Sequence, residues 1–270
     1  MPRLLFLALA SALASPAAWA LDCPQPLRIG FSDSPFPPMI NGQGPGFADP
    51  PGWALQAMRV AAQRLGCDVE PQRMPGRRMS LLVEQGELEF VLFFGATAER
   101  LKAMRFPLDA AGRPDASVAP LMGHLVFYAL PGSPLARGGG GWDGTTLAPE
   151  LRVGAVVGTA QEQLARERGW RMETASTFAG ALQMLQARRF DVLLSTRETL
   201  TPEMRGIDLV EIAPVVHYQP YFVPASPRLW AANADFVRAF WREACLAVRR
   251  VAPDARPVDC GQLPPPPARR

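Results

Sequence analysis

The run Gly86-Glu87-Leu88-Glu89-Phe90-Val91-Leu92-Phe93-Phe94-Gly95-Ala96-Thr97-Ala98-Glu99-Arg100 constrains this chain more than any other. Gly86 reads as a helix stop, because glycine takes the left-handed cap conformation without steric cost. Leu88 to Phe94 is short and almost purely apolar, as expected of a strand buried on both faces of a parallel sheet. Gly95 breaks the run, and Thr97 has the side chain to cap the next helix. Arg100 then stands in the first helical turn, near the carboxyl end of a buried strand, where ligands bind in open α/β sheets. A cation is slightly unfavourable at the positive end of a helix dipole. An arginine there suits an anion, and its fork suits a carboxylate. The competing reading is a surface arginine paired with Glu99 or with solvent.

The remainder alternates strands with helices. Leu27 to Phe31 reads as a strand, followed by a Pro/Gly-rich loop from Ser32 to Gly52 that holds Phe36-Pro37-Pro38. Trp53 to Leu65 carries Leu55, Met58, Ala62 and Leu65 at helical spacing and stops at Gly66. Asp68 to Gln72 is the next strand, and Pro75-Gly76-Arg77-Arg78 enters a helix with Met79, Leu82 and Val83. Leu125 to Leu130 and Leu151 to Val157 read as strands, with a helix from Ala160 to Arg168. Trp170 to Ala175, Thr177 to Ala187 and Phe190 to Thr196 read as strand, helix and strand. Tyr221 to Pro224 is a strand-like return, and Asn233 to Val251 an amphipathic helix. Phe190-Asp191-Val192-Leu193-Leu194 echoes Leu88-Glu89-Phe90-Val91-Leu92, which suits two similar α/β lobes.

The amino terminus reads as an export signal over residues 1–20: a basic Met1-Pro2-Arg3, an apolar Leu4 to Ala14, and Ala18-Trp19-Ala20 as cleavage site. Asp22 before Cys23 is not the small residue that a lipid-attachment cysteine follows. Export to the periplasm puts the four cysteines in an oxidising compartment. Of the three possible pairings, Cys23–Cys67 is favoured because each precedes a strand candidate, which leaves Cys245–Cys260. The two histidines, His124 and His217, are not near a cysteine in sequence, so a metal site is not expected, nor any cofactor. A net charge of +3, with no basic run interleaved with aromatics, argues against nucleic acid. Gly138 to Gly141 lacks the Lys-Ser/Thr of a phosphate-cradling loop. Residues 263–270, with Pro264 to Pro267, read as an extended or disordered tail.

In order and spacing, several of these segments resemble bacterial extracellular solute-binding proteins of family 3, the polar amino-acid binders that feed ABC importers. The resemblance rests on Leu27-Arg28-Ile29-Gly30, Phe36-Pro37-Pro38, Gly52-Trp53, Gly86-Glu87-Leu88-Glu89, Thr97-Ala98-Glu99-Arg100 with Phe106-Pro107, Val153 to Thr159, and Phe190-Asp191. It implies an α/β, two-lobed type II periplasmic binding protein fold. Each lobe is then a mostly parallel sheet flanked by helices, with 21–120 and 217–262 in lobe 1 and 121–216 in lobe 2. The crossovers fall near Val118 to His124 and Ala213 to Gln219. By the same resemblance Arg100 grips a ligand carboxylate, Phe36 is an aromatic wall, and Gly158 and Thr159 open a helix whose N–H groups suit an anion. Trp53, Arg78, Gly95, Thr97 and Thr196 complete the expected ligand-binding set. Arg77 and Arg78 equally read as solvated surface arginines.

The chain also departs from the family pattern. Ala54 and Gln56 stand where an acidic residue is usual, Thr196 where an aspartate holds the ligand ammonium, and Ala160 where a second hydroxyl is usual. A buried ammonium without a carboxylate is poorly compensated, and Glu198 or Asp33 would have to substitute. Three functional classes follow. The favoured one is a non-enzymatic, monomeric receptor for a small anionic solute, serving an ABC permease or a membrane sensor. The others are a cyclohexadienyl dehydratase-like enzyme and an accessory protein-binding module.

Overall fold

A computed structural model describes residues 23–138, 140–199, 206–252 and 260. The expected export signal and its cleavage site, and the proline-rich tail, lie outside the described residues. In chain order the described elements begin β1 (Leu27–Ser32), α1 (Trp53–Arg64), β2 (Val69–Met74), α2 (Gly76–Gln85), β3 (Phe90–Val91), β4 (Phe94–Gly95) and α3 (Ala98–Ala103). They continue β5 (Leu121–Ala129), β6 (Arg152–Val156), α4 (Ala160–Glu167), β7 (Arg171–Ala175), α5 (Phe178–Gln186), β8 (Val192–Thr196), β9 (Val210–Phe222) and α6 (Pro227–Val251). The result is a two-lobed α/β fold. One sheet is parallel, ordered β2-β1-β3; the other is mixed, ordered β4-β9-β5-β8-β6-β7.

Each lobe covers both faces of its sheet. In the first, Leu27, Ile29 and Phe31 of β1 pack with Met58 of α1 and Phe236 and Phe240 of α6. Met79 and Val83 of α2 fill the other side with Leu88, Phe94 and Phe106. In the second, Phe127 and Val192 pack with Trp142, while Leu182 and Leu185 of α5 pack against Val126, Phe190 and Leu193. β5 and β9 run antiparallel between the lobes, from Leu121↔Tyr221 to Ala129↔Val210. The sequence pattern shows only the ends of these strands. β9 is 13 residues long and contains Pro214 and Pro220, which interrupt its apolar pattern; proline is tolerated where a strand's N–H groups need no partner.

The expected strand from Leu88 to Phe94 is not one strand. β3 pairs parallel with β1, whereas β4 pairs antiparallel with the end of β9. Between them Phe93 takes φ 57°, a left-handed turn that passes the chain from one sheet to the other. Gly95 therefore belongs to a strand instead of ending one. The last helix begins at Pro227, capped by the Ser226 hydroxyl, which accepts the Leu229 N–H at 3.1 Å. Asn233, where the sequence pattern starts it, is a non-helical break (φ −154°, ψ 71°).

The echo between the lobes has a physical counterpart. Arg28 donates its backbone N–H and its guanidinium to Glu89, at 2.8 Å in each case. Arg152 does the same with Asp191, at 2.8 Å from the backbone and 3.2 Å from Nε. Two residues on, Gly30 and Gly154 make room for the residues just before those acids. A methyl on Gly30 would stand 2.9 Å from Leu88, and one on Gly154 would stand 2.2 Å from the Phe190 ring. Both disulfides form as the sequence predicts. Cys23–Cys67 lies beside the β1–β2 pairing, which starts at Leu27↔Val69, and Cys245–Cys260 ties residue 260 to α6.

Candidate functional site

Arg100 sits where the two lobes meet. The Thr97 hydroxyl caps α3 by accepting the Arg100 N–H at 3.3 Å, which sets the start of the helix. The side chain then turns back over the Phe94 ring, 4.3 Å from its centroid. Nη1 donates to the Gly95 carbonyl at 3.0 Å, and Nη2 crosses to the second lobe, donating to the Gly158 carbonyl at 2.8 Å. Two of the five donors of the fork are thus used, both on neutral oxygens. Among the described residues Arg100 is in no ion pair, with Glu99 or any other acid. Burial pushes its pKa down to about 10, and the nearby Tyr221 and Glu99 only partly oppose this.

The second lobe presents the start of α4. Gly158 takes φ 75°, and the Thr159 hydroxyl accepts the Glu162 N–H at 3.2 Å while donating to the Val156 carbonyl at 2.6 Å. The Gly158 N–H donates to Glu162 Oε2 at 2.6 Å, and Glu162 Oε1 accepts from Arg166 at 2.7 Å. The helix start therefore carries an anion of the chain's own, a point the sequence pattern does not reveal. Glu162 stands three residues after the cap, the position from which an acid reaches back.

These parts border a groove of about 670 Å³ between α2, α3 and the Val157-Gly158 turn. Arg78, Arg100 and Gly158 line it together, joined by Arg77, Leu81 and Met104. Gly95 lies behind Arg100 and is tightly enclosed; a methyl there would stand 3.1 Å from Ala160 of the second lobe. Phe36 and Trp53 are not in this lining. Phe36 meets Phe178 of α5 edge-on at 5.4 Å, an aromatic contact from lobe to lobe, and Trp53 packs on Phe93 at 5.5 Å.

Thr196 belongs to a buried triad. Its hydroxyl lies 2.8 Å from the Tyr221 hydroxyl and accepts from Gln161 Nε2 at 2.7 Å. Gly123 admits the group, since a methyl there would stand 2.5 Å from the Tyr221 ring and 2.8 Å from Thr196. Burial pushes the Tyr221 phenol up to about 12, so the triad is neutral at physiological pH. Gln161 and Tyr221 carry no local motif. Only the pairing of β9 with β5, and the packing of α4, brings them to Thr196.

Of the two acids considered for an ammonium, Glu198 accepts the His124 N–H at 2.9 Å and faces the same residue's ring nitrogen. Asp33 lies in the loop that carries Phe36, and that loop is organised by Arg73. Buried at the end of β2, Arg73 donates to the carbonyls of Ser32, Asp33 and Gly42 at 2.9 Å each, and to that of Gly46. Its guanidinium lies 5.0 Å from the Phe47 ring centroid, and burial lowers its pKa. Nothing in the pattern around Arg73 marks it as a loop organiser.

No protein-family model matches the sequence, and no curated protein does either. Solved structures do share the fold. An ancestral arginine-binding protein bound to arginine matches with a TM-score of 0.59 at 15% identity, over 85% of this chain and 97% of that one. A histidine kinase sensor domain with similarity to periplasmic binding proteins matches with a TM-score of 0.60 at 17% identity, over 86% and 92%. The ancestral amino acid-binding protein AncCDT-1, a precursor of cyclohexadienyl dehydratase, matches with a TM-score of 0.58 at 16% identity, over 85% and 91%. The chain has the two-lobed fold of the periplasmic amino-acid-binding proteins.

Proposed function

We propose that the chain is an exported, periplasmic, monomeric receptor that captures a small carboxylate-bearing, amino-acid-like solute by closing its lobes. An ABC permease or a membrane sensor then reads the closed form. The lobe boundaries fall at 120/121 and 216/217, and β5 and β9 act as the hinge. The observation that carries this reading is Arg100. It is a partly dehydrated guanidinium at the junction of the lobes, with neutral partners only and donors to spare. A carboxylate would supply the counter-charge that these carbonyls lack. The two disulfides agree with an oxidising compartment. Binding is favoured over catalysis because two of the acids that could serve as a general acid already have work: Glu162 holds the Gly158 N–H and Arg166, and Glu198 holds His124.

A thermal-shift screen against amino acids, dicarboxylates and aromatic acids identifies the solute class. A ligand at a hundred times its dissociation constant adds about 2.7 kcal/mol of stability. Titration calorimetry on Arg100→Ala and Arg100→Lys then tests the site. Truncating one member of a buried charge pair costs about 2–5 kcal/mol, which is about 30-fold to several thousand-fold in affinity. The lysine form also binds weakly, since an ammonium cannot present the planar fork. Equal affinities in all three proteins would remove Arg100 from the site, and turnover of a prephenate-like carboxylate would replace the receptor by an enzyme.

A further inference from the structure

Two further arginines, Arg77 and Arg78, border the groove beside Arg100. Arg77 and Arg78 open α2 with no acidic residue in its first turn, and α2 has no side-chain cap. Arg77 reaches across to the second lobe: a methyl on Gly158 would stand 3.2 Å from its Cγ and 3.8 Å from its Cδ. That is the residue whose carbonyl Arg100 grips at 2.8 Å. Arg77 and Arg100 thus both approach Gly158. Among the described residues neither they nor Arg78 is in an ion pair.

Three acids also border the groove, and their placement matters. Glu162 is engaged by the Gly158 N–H and Arg166. Glu99 is exposed in the first turn of α3, where the helix dipole favours an acid. Glu84 is seven residues along α2 from Arg77, about 10 Å by helical rise. With Glu162 taken up by Arg166, the groove retains three arginines against Glu84 and Glu99. Arg77 and Arg78 are adjacent and their charges repel, and a ligand held by Arg100 alone would leave them without a bound anion.

Resting on the receptor reading above, we propose that the solute carries two anionic groups. Arg100 holds one, and Arg77 with Arg78 hold the second at the mouth of the groove. The ligand class is a short dicarboxylate. Arg77 lies against Gly158 of the second lobe, so the second contact sits at the junction of the lobes.

Calorimetry with succinate and glutarate against butyrate, on the full chain, tests this. The dicarboxylates are expected to bind about tenfold tighter than butyrate, with a steeper loss of affinity as salt rises. In the Arg77→Ala/Arg78→Ala double variant the ratio of dicarboxylate to butyrate affinity should fall to about one. Both side chains are exposed, so the variant is expected to keep its melting temperature. Arg77→Lys/Arg78→Lys should keep part of the preference, because charge rather than fork geometry carries it. If butyrate binds as tightly as succinate and that binding needs Arg100, the receptor reading stands and the second anion site falls. An undiminished preference in the double alanine variant also overturns it. If neither kind of acid binds, the dicarboxylate assignment falls, and the receptor reading stands or falls separately with the amino-acid screen.

Discussion

Arg100 is a cation placed where water is scarce, and its titration follows from that. Its folded pKa of about 10 lies below the value of an arginine in the unfolded chain. Between those values the unfolded chain holds a proton that the folded chain has released, so stability rises with pH there. At neutral pH the charged guanidinium is therefore a net cost to the fold, as expected of a group kept for binding rather than packing. Binding has the opposite sign. A carboxylate needs the protonated form, so affinity should be full below about pH 10 and fall above it. Calorimetry of a bound carboxylate at about pH 8 and about pH 10.5 reads this directly; an unchanged affinity would mean that Arg100 does not face the ligand. Arg73 shows the contrasting use of a buried arginine. It too is desolvated and lowered, but its donors are spread over the carbonyls of one loop, which leaves it a structural part.

At the scale of elements, the last helix illustrates how a local side chain overrides a continuous pattern. Asn233 interrupts α6, and its Oδ1 accepts the Phe236 N–H at 3.1 Å, so it caps a second helical segment inside the first. That segment carries Phe236, Phe240 and Trp241 into the core of the first lobe. Asn233→Ala should cost about 1 kcal/mol, a fall of about 2–4 °C in melting temperature for a chain of this size. Asn233→Asp, which keeps an acceptor there, should lose less. Thermal unfolding of the three proteins checks it, and equal melting temperatures would mean that the cap contributes nothing. The Arg28–Glu89 and Arg152–Asp191 pairs belong to this scale as well. Each acid takes the backbone N–H and the guanidinium of an arginine that opens a parallel strand, β1 or β6, or lies just inside it, which ties a loop to the sheet in the same way twice.

At the scale of the molecule, specific contacts join the lobes. Arg100 holds Gly158, Phe36 meets Phe178, and Gly95 lies against Ala160. Opening of the lobes would separate all three while β5 and β9 stay paired. A saturating carboxylate should therefore shift the population toward the closed arrangement and reduce the radius of gyration seen by small-angle scattering. An unchanged radius at saturation would count against lobe closure as the functional motion.

Much of this architecture was legible in the residues, because short-range physics writes it there. Gly86 adopts its left-handed cap at φ 75°, and Thr97 and Thr159 cap their helices through their own hydroxyls. The cysteines ahead of β1 and β2 join because parallel strands place their starts together. The place of Arg100, after a buried strand and inside a helix cap, followed from local pattern alone. What the pattern could not decide depends on which strands become neighbours. Phe93 turns the chain between two sheets, a choice that exists only once β9 offers Phe222 and Tyr221 to β4. Gln161 and Tyr221 reach Thr196 from 35 and 25 residues away, and Glu162 claims the amide expected to await an anion. Side-chain spacing reports one segment's preferences. The partners of a hydroxyl, an amide or a guanidinium are set by chain closure, which only the tertiary structure decides.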